Sequence, residues 1–512
     1  MEVFGFHLPA WLLLVILAVF LFYLYSTWTY DTFKNVGIPG PKPWPFLGNQ
    51  PEFFAGPNEF YLRNKKNYGS VFGTFEGRAP VLIVFDPQII RQFLIKEFKT
   101  FTNRRHLPVV DPPLDKSLLI LKDDPWKRIR SLVTPAFTTG KLRQMTNQVN
   151  ACVDRLSENL TSFAESSESF YFQKFASAFT NDVISRVAFS IELDAQKNPE
   201  DPLVQNIVKM FQPNPILVAF AFTFPDVIQF MRYKLGLRLF NKNSLAFFRR
   251  LMDKLIKERS ENQQEHVDFL QMMLNAHEMS DVSVDEDLDQ GGLVTQAKGK
   301  QYKKLTAEEL TAQTVLFFLG GTDTTAKTLS FLCYSLATNH DIQKRLTKDI
   351  DNAIGHSETV SQDMCSKVPY LKQCILETLR LYPPFRRLER IASKDITING
   401  YKIPAGVVVA APIGAIQRDP EFWENPEVFD PDRFSEENQA SRDPLLNMAF
   451  GHGPRNCVGK RLAMMEVEIA AVKLLQKFQF YAGPDTENPV KLKNLILTQA
   501  VNPVLFRVKK RC

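Results

Sequence analysis

Charged residues are missing from the start of the chain. Residues 3–30 hold none, and residues 8–25 are almost wholly apolar, with Trp11, Tyr23, Tyr25, Trp28 and Tyr30 towards the ends. About 20 residues at helical rise cross a bilayer's hydrocarbon, and aromatic rings suit its two interfaces. The pattern predicts a retained membrane helix. A cleaved signal peptide fits less well: there is no basic n-region, no small-x-small cleavage site, and the run is too long. Only Glu2 precedes the span, whereas Lys34 and Lys42 come after it. The positive-inside tendency therefore places the remainder in the cytosol.

Ile38-Pro39-Gly40-Pro41-Lys42-Pro43-Trp44-Pro45 comes next. Four prolines at this density exclude helix and predict a stiff, extended spacer. Residues 71–74 and 81–85 are strand-like runs around a Glu76-Gly77 turn. Residues 396–398 and 401–403 flank Asn399-Gly400, a type I′ hairpin signal. Most of the remaining chain has helical spacing, including residues 462–476. Residues 281–304 are polar and glycine-containing and read as an exposed loop. Thr306-Ala307-Glu308-Glu309 then forms a capping box that opens a proline-free apolar run to Thr338. Roughly 32 residues at helical rise span about 48 Å, against a usual length of ~11–12 residues. Such a helix must cross the whole body. There is no fixed-period repeat, and no linker divides positions 50–512. The expected organisation is an anchor (1–30), a proline-rich hinge (31–49) and one large domain (50–512), mainly α with small β-sheets.

Composition sharpens this only in part. A prior of about 150 residues per domain suggests three domains, which the missing linkers reduce to one. Hydrophobic residues at 45% and charged residues at 23% exclude a disordered, collagenous or coiled-coil chain. A net charge of +6 is too thin to argue for nucleic acid. Phenylalanine stands out, 42 against 13 Tyr and 5 Trp, and implies large apolar cavities or a greasy surface. The six cysteines contain no C-x-x-C pair and make no disulfide framework. A reduced environment fits, with most of them small buried hydrophobes.

Cys457 is the exception. It lies in Phe450-Gly451-His452-Gly453-Pro454-Arg455-Asn456-Cys457-Val458-Gly459, just before the helical run 462–476. The glycines allow a tight backbone with amides turned inward, and the helix N-terminus favours an anion beside it. A thiolate stabilised in this way is a nucleophile or a metal ligand. The only neighbouring base is His452, which is read as structural or solvent-facing. This segment resembles the signature of the haem-thiolate cytochromes P450: Phe, two residues, Gly, one, Arg, one, Cys, one, Gly. Five such fixed residues arise by chance on the order of once in ten thousand chains.

The resemblance implies haem b (iron protoporphyrin IX) with Cys457 as axial ligand and Phe450 beside it. It implies a structural network of Glu377 and Arg380, from Glu377-Thr378-Leu379-Arg380, with Arg433 from a later loop. Asp432 stands where the family often has Glu. Trp126, Arg130, Arg104, Arg390 and Arg455 are the implied donors to the haem propionates. In Gly320-Gly321-Thr322-Asp323-Thr324-Thr325, paired glycines weaken a helix. There they would let the helix pass close to a flat cofactor, with Gly320 beside it. Thr324 and Asp323 are the implied catalytic residues for proton delivery; the blander reading is a kink with a back-bonding threonine. The closest resemblance is to the microsomal family 3 drug- and steroid-oxidising enzymes, on residues 101–105, 126–135 and 387–390. The thromboxane synthases are the nearest relatives outside that group.

The same resemblance implies a cytochrome P450 fold with a long central helix over the haem, at the endoplasmic reticulum membrane with a cytosolic catalytic domain. It would be a monooxygenase inserting one atom of O2 into lipophilic substrates such as steroids, fatty acyl compounds and xenobiotics. No G-x-G-x-x-G fingerprint is present. Electrons would therefore come from an NADPH-cytochrome P450 reductase, helped by cytochrome b5, docking on Lys127, Arg128, Lys141, Arg143, Lys460 and Arg461. The alternatives are an endoperoxide isomerase and a non-catalytic haem sensor; the Asp323–Thr324 pair favours oxygen activation. The implied substrate pocket takes the 107–121 loop, the 211–230 region, Leu316, Leu319, Phe385, Arg386 and Ile496. Phe385 and Arg386 depart from the family-3 pattern towards a less open pocket and an acidic lipid. Phe211, Phe220, Phe222, Phe224 and Phe230 would form a roof dipping into the bilayer, and Phe317, Phe318, Phe385 and Phe450 would lie near the haem.

Overall fold

The computed structural model describes residues 2–3, 6–7, 10–105, 110–210, 217, 220–221, 223–238, 240–261, 268–278, 305–495 and 497–511. The loop expected at 281–304, Leu107, Phe211, Phe222 and Ile496 lie outside them. The chain folds into two units. The first comprises Met1–Val109, Asn214–Leu237 and Arg387–Ala415; the second comprises Val110–Pro213, Arg238–Arg386 and Ile416–Cys512.

The first unit is built on a four-stranded sheet. Strand Val71–Glu76 pairs with Ala79–Val84, then comes Val408–Ala411, then Leu388–Ile391. The segment Arg387–Ala415 returns to this unit through Val408–Ala411, which pairs parallel to Ala79–Val84 with Val81 opposite Val408. Both faces of Val71–Glu76 are buried, so its residues run apolar rather than alternating. The hairpin Ile396–Ile398/Tyr401–Ile403 turns at Asn399 and Gly400, both with positive φ, as the Asn-Gly pair predicts.

The proline-rich segment is not a free spacer. Proline lacks an N–H, so the segment offers carbonyls instead: Pro39 O accepts from Gly73 N–H at 2.8 Å. Trp44 and Gly48 exchange both backbone bonds, and Tyr30 Oη donates to Trp44 O at 2.8 Å. A Cβ at Gly40 would lie 2.0 Å from Gly73 O. Close backbone approach is what glycine supplies here.

The N-terminal helix α1 (Ala10–Thr27) is 18 residues long, about 27 Å at helical rise. Its apolar side chains are exposed, Leu14 and Trp11 by about two thirds. Its last turn is tied down: Tyr25 Oη donates to Asp226 Oδ2 at 2.9 Å, and the Arg78 guanidinium lies 3.7 Å from the Tyr25 ring centre. Among the described residues no helix is long and apolar enough to cross a membrane.

The second unit is helical. Its main helices are α2 (Asp123–Val133), α3 (Thr139–Ser166), α4 (Phe172–Phe189), α5 (Ala307–Gly321), α6 (Asp323–Thr338), α7 (Pro369–Leu381) and α8 (Lys460–Lys477). A small antiparallel sheet joins Phe478–Tyr481, Leu505–Lys510 and Phe170–Tyr171. The predicted capping box at Thr306 and Glu309 is formed. The single long helix is instead two, α5 and α6, interrupted at Thr322 with φ −82° and ψ −68°. The reason is local. Gly320 and Gly321 propagate helix poorly, and the Thr322 and Thr324 hydroxyls back-bond to Phe318 O and Gly320 O, both at 2.7 Å. Nearly all of α6 is buried against α4, α7 and α8.

Phe317 and Phe318 belong to the core of this unit. Phe317 packs on Phe137 and Phe269, and Phe318 on Phe189 and Phe248. Substituting Gly40 by Ala forces its Cβ into the Gly73 carbonyl, so Gly40→Ala is expected to destabilise by about 1–3 kcal/mol, the usual range for overpacking. Urea unfolding measures the change; a neutral substitution would show that the segment is loosely attached.

Candidate active site

The cysteine motif lies in the second unit. Cys152, Cys333, Cys365 and Cys374 are buried, whereas Cys457 is exposed. Burial pushes the Cys152 and Cys365 thiols up to about 12 and raises Cys333 and Cys374 as well, which leaves these four protonated. Around Cys457 the chain turns through Gly451 and Gly453, with φ of 71° and 75°, the left-handed region glycine tolerates. The turns bring Cys457 N–H to Phe450 O at 2.8 Å and Asn456 N–H to Gly453 O at 2.9 Å. α8 begins at Lys460 with Gly459 as its N-cap. Its positive end favours a thiolate just upstream. His452 is half-buried, with Nε2 3.3 Å from Asn447 O.

A buried ion pair holds this loop from behind. Arg380 and Glu377 share two bonds, Nε to Oε2 at 2.6 Å and Nη2 to Oε1 at 2.8 Å, with both side chains fully buried. Arg433 Nε stands 3.4 Å from Glu377 Oε1, and Asp430 N–H donates to that oxygen at 2.9 Å. Arg380 Nη1 continues to Gln417 O at 2.7 Å. The Gln417 amide returns two bonds to Leu379 O and Arg380 O, and its oxygen accepts from Met448 N–H at 3.0 Å. Met448 O in turn accepts from Gly451 N–H at 2.8 Å. An unbroken run of bonds thus joins α7 to the cysteine loop. Gln417 was not foreseen, because no local spacing marks it.

α5 and α6 present one accessible stripe. Leu316, Leu319, Gly320, Asp323, Thr324 and Lys327 are all at least partly exposed, whereas Phe317, Phe318, Thr322, Thr325 and Ala326 are buried. A Cβ at Gly320 would meet nothing within 4 Å; one at Gly321 would press on Ile184 Cδ1 at 3.1 Å. Only the first glycine faces open space. Thr324, Thr325, Thr328, Leu379, Pro384, Phe450, Ala463, Met464 and Val467 line a small cleft. The threonine stretch, the end of α7, the cysteine motif and α8 meet there. The back-bond of Thr324 to Gly320 O is the feature the blander reading described, and it leaves the hydroxyl at the cleft. Asp323 is ion-paired with Lys327 at 2.6 Å, a partner the sequence pattern did not flag.

The predicted propionate donors fall in both units. Trp126 and Arg455 meet: both are buried, and the guanidinium lies 4.3 Å from the indole centre while Nη2 donates to Leu121 O at 2.7 Å. Arg130 donates to Asn456 O and Oδ1, at 3.1 and 2.8 Å, and so grips the residue before Cys457. Arg104 and Arg390 belong to the first unit, where Arg390 is buried in the strand Leu388–Ile391 and donates to Glu389 O at 2.8 Å. Among the residues assigned to substrate, Phe385 is 45% exposed and bridges to Leu497, while Arg386 is buried and donates to Lys493 O at 3.3 Å. The expected docking cations are partly engaged: Arg128 pairs with Glu309, Lys127 with Asp124, and Arg143 with Asp363. Lys460 and Arg461 are exposed at the start of α8.

These features agree with the comparisons to known proteins. The family described as Cytochrome P450 matches residues 38–507. The chain is 38% identical to mouse "Cytochrome P450 3A11" over 98% of its own length and 97% of that relative. It is 39% identical to mouse "Cytochrome P450 3A41" over the same shares of each chain. It is 37% identical to the golden hamster "Lithocholate 6-beta-hydroxylase", again over 98% and 97%.

Removing one member of a fully buried ion pair leaves the other charge uncompensated. Arg380→Met is therefore expected to cost about 3–5 kcal/mol in urea unfolding, and Glu377→Leu/Arg380→Met to recover part of it. A loss below about 1 kcal/mol would mean that the pair behaves like an exposed one.

Proposed function

The chain belongs to the cytochrome P450 family of haem-thiolate monooxygenases, and we propose that it inserts one oxygen atom into lipophilic, steroid-like substrates with Cys457 as the thiolate ligand of haem b. The observation that carries this reading is the one accessible thiol among the described cysteines, whose backbone N–H donates to Phe450 O while Phe450 lines the Thr324 cleft. The residues present suit the cofactor. The cleft is apolar apart from three threonines, Gly320 leaves room along the helix, and the cysteine loop turns a helix N-terminus towards the sulfur. When bound, haem on a thiolate supplies the electron-rich iron that activates dioxygen.

The chain's own residues do the rest. The Cys457 loop, gripped by Arg130 and by the Gln417 relay, fixes the position of the sulfur. Trp126 and Arg455 serve as donors for a carboxylate. Thr324 donates its proton to Gly320 O, which leaves its oxygen lone pairs to accept from a water in the cleft. Asp323, about a quarter exposed, has access to solvent protons and hands them to the Thr324 side. This device suits oxygen activation and has no task in an isomerase.

Leu316, Leu319 and Phe385 provide apolar contact area for the substrate. The hamster relative is a lithocholate 6-beta-hydroxylase, which supports a steroid framework. The buried Arg386 donates to Lys493 O, on the loop that carries Leu497. The electron source is an NADPH-dependent reductase, aided by cytochrome b5, meeting the face around Lys141, Lys460 and Arg461. α1 is the membrane anchor at the endoplasmic reticulum. Its exposed apolar surface, which needs lipid around it, supports this reading. Helix Pro225–Leu235 adds Phe230, Tyr233 and Leu235, each more than 60% exposed, to the same greasy surface.

Cys457→His is expected to abolish the long-wavelength carbon monoxide band of thiolate-ligated haem; persistence of the band removes Cys457 from the ligand role. Thr324→Ala is expected to keep haem but lower the product formed per NADPH on a steroid panel with added reductase. Product formed only from an endoperoxide, and without NADPH, would establish the isomerase instead.

A further inference from the structure

Gln313 sits in the middle of α5 with no access to solvent. Its side chain holds the segment that precedes α2. Oε1 accepts from Leu118 N–H at 2.8 Å. Nε2 donates to Lys116 O at 2.9 Å and to Glu309 O, one turn back on its own helix, at 3.1 Å. Ser117 and Leu118 are buried at this contact. At the other end of the same segment, Leu121 O accepts from Arg455 Nη2. Residues 116–121 are thus pinned between α5 and the cysteine loop, all within the second unit. Lys116 also pairs with Glu308, but both side chains are well exposed, and such pairs hold little. Seven residues separate Gln313 from Gly320, which at about 100° per residue brings them within roughly 20° of one line on the helix, with Leu316 between them. Leu316, Leu319 and Gly320 are at least partly accessible, whereas Gln313 is covered. The accessible stripe of α5 therefore ends where residues 116–118 meet the helix.

We propose that Gln313 is a positioning residue for substrate specificity: it holds residues 116–121 against α5 as the end wall of the substrate cavity. The inference rests on the reading of Leu316 and Leu319 as substrate contacts given above. Leu119 and Ile120 remain accessible and supply the apolar surface of the wall. A buried backbone N–H or C=O left without a partner costs more than a made bond gains. With an apolar side chain at 313, Leu118 N–H and Lys116 O find partners only by drawing in water or by moving the segment outward. Either change lengthens the stripe beyond Leu316 and removes a fixed surface against which a four-ring steroid is oriented. Gln313 itself meets neither substrate nor cofactor; it acts through the wall.

The test uses the full-length, haem-loaded protein and three probes, testosterone, lithocholate and palmitate, and proceeds with the one that binds most tightly. Three quantities are read: amide hydrogen exchange across residues 114–121 by mass spectrometry, the dissociation constant from the haem spectral shift, and the distribution of hydroxylated products. In Gln313→Leu, exchange of the 114–121 amides is expected to quicken about tenfold and the dissociation constant to rise about tenfold, the scale of one lost net hydrogen bond. The product distribution is expected to broaden, with haem content and the carbon monoxide band unchanged. Gln313→Met replaces the Leu variant if that loses haem. Gln313→Glu keeps the acceptor for Leu118 N–H and is expected to fall between the parent and the Leu variant. Unchanged exchange in the apolar variants means that other contacts hold the segment, and overturns the proposal. Faster exchange with unchanged binding and products also overturns it and leaves Gln313 a loop anchor with no part in specificity. If the parent protein shows no spectral shift with any of the three probes, the reading of Leu316 and Leu319 as substrate contacts fails and the proposal falls with it. A parent that binds, with variants that bind and oxidise identically, sinks the proposal alone.

Discussion

A carboxylate and a guanidinium with no access to water govern the second unit. Taking either ion out of water costs several kcal/mol, and the pair breaks even only when nearly every donor and acceptor position is filled. Glu377 and Arg380 meet that demand with specific partners: each other, Asp430 N–H, Gln417 O and Val428 O. The requirement is geometric as well as energetic. Once α7 presents this pair, residues 417 and 428–433 have one place to go. Gln417 then carries the constraint to Met448 and on to Gly451. The position of Cys457 is in this sense a consequence of satisfying a buried charge.

The interruption at Thr322 shows the same economy on the facing helices. Two glycines and two back-bonding threonines loosen the helix at one point only. A Cβ at Gly321 would press on Ile184, whereas one at Gly320 would meet open space, so packing restricts only the second glycine. The break brings a hydroxyl to the cleft and leaves a carboxylate one position round the helix, tied to Lys327. A haem-thiolate monooxygenase needs an apolar site with few protic groups, and α5 and α6 supply that ratio.

The surplus of phenylalanine divides into distinct populations. Phe137, Phe189, Phe248, Phe269, Phe317 and Phe318 are edge-to-face or stacked core. Phe450 lines the candidate cleft and Phe385 is exposed in the same unit, while Phe220 and Phe230 are exposed in the first unit. Ring count alone did not distinguish these roles, because an aromatic ring packs equally well in a core, along a cavity or against lipid.

Local spacing determined a good deal about this protein. The capping box at Thr306, the Asn399-Gly400 hairpin, the start of α8 and the turn of α7 carrying Glu377 and Arg380 each depend on residues within a few positions of one another. So does the cysteine loop, whose glycines dictate its turns. The tertiary structure decided everything that depends on a partner distant in the chain. Pro39 docks on Gly73 within the stiff, extended segment, Arg130 reaches Asn456, Gln417 bridges α7 to Met448, and Arg386 turns to Lys493 O. Periodicity and turn chemistry are properties of neighbouring residues, whereas the strength of a charge or hydrogen bond is set by the solvent and atoms that folding leaves around it.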